Sequence, residues 1–306
     1  MFSFDGTEIA VRAAGDPSGP VLVFVHGFSL DMTTWHEQWT GLSERFRCVL
    51  FDQRAHGRSG RPQGGDYSVT AMGRDLSAVL DVVAPRDPVV LVGHSMGGMT
   101  ILAMAEQQPE VFGTRVAGAV FVGTSASDLV RGALSSAGAR IQGLVRPRLP
   151  SILAAARRVD GIRRQVTAGA SGIDHLIARL TNFGPDAPRA LVDHVAGLSA
   201  RAPVRVWTDG LASLVDTDLR HAARHVRVPS VVVAGEVDRV TPPSVAKTLS
   251  GLLPDARLEI MNGAGHMTMM ERPEAFNRVV ADLADRVLPV RRGPLVRKAT
   301  APEDDG

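Results

Sequence analysis

Apolar and polar positions fall into two rhythms along the chain. Unbroken or nearly unbroken apolar runs occur at 21–25, 48–51, 89–92, 116–122, 230–234 and 258–261. Runs of this length, rich in Val and Ile, read as strands, most of them buried on both faces. The second rhythm has apolar residues three and four apart. Val69, Met72, Leu76, Val79, Leu80 and Val83 keep this spacing, which predicts a helix over 67–83. Helices are expected likewise over 34–42, 99–105, 242–252 and 273–288. At the start, 2–4 and 8–12 flank Asp5-Gly6, a preferred two-residue turn, and predict a hairpin. Strands alternating with helices imply an α/β fold with a mostly parallel sheet covered by helices on both faces.

The alternation fails between 127 and 220. That segment lacks buried strands, carries helical patterns at 141–158, 173–180 and 189–199, and is broken by Pro147, Pro150, Pro185, Pro188 and Pro203. It reads as a helical cap, or lid, inserted over the strand ends. The expected organisation is a core of 1–126 and 221–290, a cap of 127–220, and a polar, disordered tail of 291–306. The cap holds 13 Arg against 8 Asp, with seven of the arginines between Arg140 and Arg164. A solvated outer face accounts for them; attraction of anionic lipid or an acidic substrate is the alternative.

With 306 residues, 22% charged and a formal net charge of +2, the chain suits one large domain with an insertion and offers no electrostatic case for nucleic acid. Cys48 is the single cysteine and excludes an internal disulfide. No metal-ligand spacing, signal peptide or apolar stretch of about 20 residues is visible, so neither a metal nor a cofactor nor membrane insertion is expected, and the expected location is cytoplasmic.

The chemistry concentrates at the strand ends. Gly93-His94-Ser95-Met96-Gly97-Gly98 lies between a buried strand and a buried helix. A serine on that sharp turn needs small neighbours, and the Met96 N–H falls at the helix start, where donors lack partners. A serine nucleophile requires a base, and the base an orienting carboxylate. Gly265-His266 follows the last expected strand, and Asp238 the one before it; Asp128, after the strand at 116–122, is the competing acid. His94 is expected to be packed.

The order Ser95, Asp238, His266, together with His26-Gly27-Phe28, 52–59, 93–98, 235–238 and Gly265-His266, resembles the α/β-hydrolase superfamily, in its cap-bearing, esterase-like branch. The resemblance covers nearly all the chain outside the insertion. It implies Ser95 as nucleophile, His266 as base and then acid, Asp238 as the orienting acid, and an oxyanion hole from the backbone N–H groups of Phe28 and Met96. It also implies that His26 braces the oxyanion loop and that Asp52 and Arg54 pair within theirs. The family usually has Gly where Ala55 stands. Phe28, Trp35, Leu144 and Leu176 are candidates for the pocket, and Trp39 suits pocket wall and core equally.

Serine at position 95 argues against epoxide hydrolases and haloalkane dehalogenases, which use aspartate there. The expected reaction is cleavage of a small carboxylic ester with an apolar acyl group. Lactonase, amidase, C–C hydrolase or perhydrolase chemistry on the same residues, or a hydrolase-like binding protein without turnover, are the alternatives.

Overall fold

The computed structural model describes residues 1–127 and 171–288. Seven strands form one sheet: β1 Val11–Gly15, β2 Val21–Val25, β3 Arg47–Phe51, β4 Val89–His94, β5 Val116–Val122, β6 Ser230–Gly235 and β7 Ala256–Met261. Their spatial order is β1-β3-β2-β4-β5-β6-β7; β1 is antiparallel to β3 and every other pairing is parallel. The expected α/β architecture is therefore present.

Both faces of the central strands are covered, which is why they read as unbroken apolar runs. All residues of β2, β4 and β6 are buried. Successive side chains still point to opposite faces. Val21, Val23, Val25, Val89 and Leu91 enter one core, while Leu22, Phe24, Val90 and Val92 enter the other. The first core is closed by α2 Val69–Val83 and α3 Met96–Gln107. Ser68 caps α2 by accepting the Ala71 N–H at 3.1 Å. The second core is closed by α1 His36–Leu42 and, at the end of the fold, by α9 Pro273–Val287.

The N-terminus differs from its expected hairpin. Phe2 and Glu8 form an isolated antiparallel bridge around Gly6, at φ +80°, but the regular strand is β1, shifted to Val11–Gly15. Pairing with β3, Val11 to Phe51 through Gly15 to Arg47, sets these bounds rather than the local turn.

In the described part of the insertion, α4 Ser171–Asn182 and α5 Arg189–Arg201 are followed by a π-helical turn Val206–Gly210 and α6 Leu211–Asp216. Its return to the sheet is tied to the segment that follows β5: Leu219 N–H donates to Ala126 O at 2.7 Å, and Ser127 bridges Asp218. Val192, Val195 and Leu198 of α5 join the second core. Asp128, Leu144, the arginines between 140 and 164, and the tail 291–306 lie outside the described residues. No described helix is long and apolar enough to cross a membrane. After the insertion, α7 Pro243–Leu252 follows β6, and the short α8 Thr268–Glu271 precedes α9.

Candidate active site

Ser95 sits between β4 and α3 with φ +51° and ψ −118°. A side-chain-bearing residue in that region costs about 1–3 kcal/mol, and the surroundings hold it there. Its N–H donates to Val122 O at 2.9 Å, and its carbonyl accepts the Thr124 hydroxyl at 2.6 Å. A Cβ on Gly97 would strike the Val25 carbonyl, so α3 reaches the sheet this closely only through glycine. Ser95 is 6% exposed, and its hydroxyl forms no hydrogen bond to a described residue.

His266 and Asp238 meet across the loops after β7 and β6. His266 Nδ1 lies 2.9 Å from Asp238 Oδ2, and the residues are 5% and 4% exposed. Asp238 is saturated: Oδ1 accepts the N–H groups of Val240 and Thr241 at 2.8 and 2.9 Å, and Oδ2 accepts the Thr241 hydroxyl at 2.8 Å. Burial pushes its pKa up, but the His266 ring and these donors outweigh burial and hold it below the usual carboxylate value. With Nδ1 on the acid, Nε2 is left for proton transfer. The ring rests against Gly123 at the end of β5, where a Cβ would lie 3.1 Å from Nδ1. The Ser95 N–H binds the neighbouring Val122, so serine and imidazole flank the same strand end.

His94 packs behind this pair. Its ring centroid is 4.8 Å from that of His266, and its Nε2 is 3.1 Å from the His266 carbonyl oxygen. It is buried, as expected from the sequence.

The loop carrying Phe28 is braced by two histidines. His26 Nε2 accepts the Gln53 N–H at 2.9 Å, so Nδ1 carries the proton and donates to Gly27 O at 2.8 Å. His56 Nε2 accepts the Ser29 N–H at 3.2 Å, and its Nδ1 donates to Arg54 O at 2.9 Å. Each ring uses one nitrogen as acceptor, so both must be neutral. Burial lowers His26 to about 4; burial and the neighbouring His26 lower His56 to about 3. The Gln53 side chain donates Nε2–H to His26 O at 2.7 Å and accepts the Thr100 hydroxyl at Oε1 at 2.7 Å. The N–H groups of Phe28 and Met96 donate to no described acceptor. An anionic oxygen within reach of both would take two otherwise unused donors.

Several expectations need correction. Arg54 does not pair with Asp52. It forks onto Asp75 at 2.6 and 2.7 Å and reaches Asp5 at 3.1 Å. Asp52 instead accepts the N–H groups of Met32 and Arg58 at 2.7 and 2.8 Å. Trp35 is fully buried against Phe24 and Phe276, while Trp39 lines a cavity. Trp35 ends the 3-10 turn Met32–Trp35 ahead of α1, and its ring packs onto Phe24 of the sheet, so it is core and not pocket wall. Leu176 is 55% exposed on α4. Phe28 does meet the insertion: its ring lies edge-on to Trp207 at 5.0 Å.

Sequence reasoning missed His56, Thr241, Thr124, Gln53 and Trp207. Thr241 alone carried a signal, since a threonine three residues after a loop aspartate is placed to close an Asx-type turn. Among the described residues, no group of three or more His, Cys, Asp or Glu could hold a metal ion.

Residues 20–273 match the family model described as the alpha/beta hydrolase fold. An uncharacterized protein of Mycobacterium tuberculosis is 29% identical over 288 residues, covering 93% of this chain and 80% of its own. The 3-oxoadipate enol-lactonase 2 of Acinetobacter baylyi is 26% identical, covering 94% and 98%. A solved thermophilic esterase from Thermogutta terrifontis superposes with a TM-score of 0.75 at 22% identity, over 94% of this chain and 97% of that one. At that identity the superposition speaks for fold alone.

Proposed function

The chain belongs to the alpha/beta hydrolase fold family, and on that premise we propose that it hydrolyses carboxylic esters through an acyl-enzyme on Ser95. The observation that carries this reading is the strained serine at a strand-to-helix turn, with, at the neighbouring end of β5, a histidine hydrogen-bonded to a saturated buried aspartate. Ser95 Oγ attacks the ester carbonyl while His266 Nε2 takes its proton. The carbonyl oxygen becomes an anion held by the Phe28 and Met96 N–H groups, each worth about 3 kcal/mol in the transition state. The C–O bond then breaks, and His266 returns the proton to the leaving alcohol. Water repeats the sequence: His266 removes its proton, the acyl–Ser95 bond breaks, and Oγ is reprotonated.

In this reading residues 127–220 act as a cap over the site, and an uncharged, apolar acyl group is preferred. Phe28 and Trp207, rather than Trp35 and Leu176, form the wall that the acyl chain meets. No step requires a cofactor.

The test is a fluorophosphonate adduct located by mass spectrometry, paired with turnover of a chromogenic short-chain ester. The adduct is expected on Ser95, with turnover lost in Ser95→Ala by several orders of magnitude. An adduct on Ser125 or Ser127, or turnover that survives Ser95→Ala, would sink the assignment.

A further inference from the structure

A cavity of about 630 Å³ lies between β1, the 29–33 loop, α1, the 52–58 loop and the end of α5, and neither Ser95, Asp238 nor His266 lines it. Its size is that of a small-ligand pocket, about 300–1,000 Å³. Its apolar lining includes Leu30, Met32, Trp39, Leu50, Leu198 and Pro203. Three exposed arginines, Arg12, Arg58 and Arg201, line it as well, and each comes from a different part of the fold.

None of the three arginines has a carboxylate partner among the described residues. The two acids in the lining are already engaged. Asp52 accepts two backbone N–H groups, and Asp31 accepts the Thr33 N–H at 2.9 Å. The Arg12 guanidinium carbon lies over the Trp39 ring, 3.7 Å from its centroid. A cation–π contact of this kind holds the guanidinium without pairing its charge with a carboxylate. An apolar body beside unpaired, fork-shaped cations is the arrangement that binds an organic carboxylate; inorganic phosphate would leave the apolar wall unused.

We propose that this cavity is a second ligand site, separate from Ser95, for a small organic carboxylate with an aromatic or otherwise apolar body. The carboxylate pairs with Arg12 and Arg201 at the mouth, and the body lies against Trp39 and Leu198. The wall residue Ser29 is adjacent in sequence to Phe28, so an occupant sits one residue from the loop that presents the Phe28 N–H.

The experiment titrates 2-naphthoate into Ser95→Ala protein by calorimetry, with 2-naphthalenemethanol as the uncharged body of similar size. Saturable binding of naphthoate is expected, with the alcohol at least about tenfold weaker. Arg12→Ala and Arg201→Ala should each weaken binding about tenfold, the value of one charge-assisted hydrogen bond. The same substitutions on the unaltered Ser95 background should leave ester turnover within about twofold. Absence of saturable binding at millimolar naphthoate, equal affinity for the alcohol, or indifference to both arginine changes would overturn the site. So would purely competitive inhibition, with KM raised and kcat unchanged; a change in kcat or no effect on turnover supports it. The binding measurements need no turnover, so they stand or fall apart from the reading of Ser95.

Discussion

Two pairs of buried groups, both built around histidine, flank the serine, and they are wired in opposite ways. In the brace of the Phe28 loop, His26 and His56 each donate Nδ1–H to a carbonyl and accept a backbone N–H at Nε2. Both nitrogens are used, so these rings can hold the backbone but cannot take up a second proton. In the pair across β6 and β7, His266 Nδ1 faces the Asp238 carboxylate, and Nε2 has no described partner. The comparison shows how one side-chain type becomes scaffold or proton carrier. Burial is similar in both regions; what differs is whether Nε2 is spent on the backbone and whether a carboxylate is present to stabilise the charged ring.

The largest effect should come from breaking the proton-carrying side. His266→Ala should lower kcat/KM for a short ester by about 10⁴-fold or more, with the fold intact by circular dichroism. Asp238→Asn should lower kcat by about 10³–10⁴-fold while KM changes little, because the amide favours the wrong imidazole tautomer. Full activity in either variant would erase the distinction between the two regions.

Breaking the brace should instead cost stability first. His56→Gln leaves the Ser29 N–H or the Arg54 carbonyl poorly paired in a buried site, a loss of about 2–3 kcal/mol at pH 7. The pH dependence sharpens the point. Unfolded histidines take up protons below about pH 6.5, whereas the folded ones refuse them until about 4 for His26 and about 3 for His56. The unfolded chain therefore binds more protons below pH 6.5, and stability falls as pH drops through that window. Between pH 7 and pH 5 each ring should cost about 2 kcal/mol. Urea midpoints at the two pH values should show the difference between wild type and His56→Gln shrinking by about that amount at pH 5. A difference that stays constant would mean that His56 is not held neutral.

Glu271 joins the segment around Gly184 to the loop that carries His266. Its carboxylate accepts the Gly184 N–H from the insertion at 2.7 Å and the Gly265 N–H beside His266 at 2.8 Å. Glu271→Gln replaces one acceptor by a donor aimed at a donor. The expected loss is about 1–2 kcal/mol of stability, with a smaller fall in kcat than for Asp238→Asn. Unchanged thermal unfolding would show that the contact bears no load.

The smallest effect concerns Ala55, which stands at φ +63° in the loop that carries His56. Ala55→Gly removes the left-handed penalty but adds freedom to the unfolded chain, and the net gain should be about 0.5 kcal/mol, read from urea midpoints. A clear destabilisation would mean that the Ala55 methyl, packed with Tyr67 and Val206, contributes more than its backbone costs.

The sequence by itself determined the parallel sheet, because strands covered on both faces must be apolar throughout and helices between them must repeat at 3.6. It also marked Ser95, through the glycines that its turn requires, and pointed to Asp238 and His266, through their places after successive strands. What it left open were partners. Arg54 bonds Asp75 rather than Asp52, which is nearer in sequence, Trp35 is buried in the core rather than lining the pocket, and His56 proves to be a brace. Periodicity records which residues leave water. It does not record which of several buried donors meets which acceptor, because that depends on distances set only when β1, α1, α2 and the insertion have packed around one sheet.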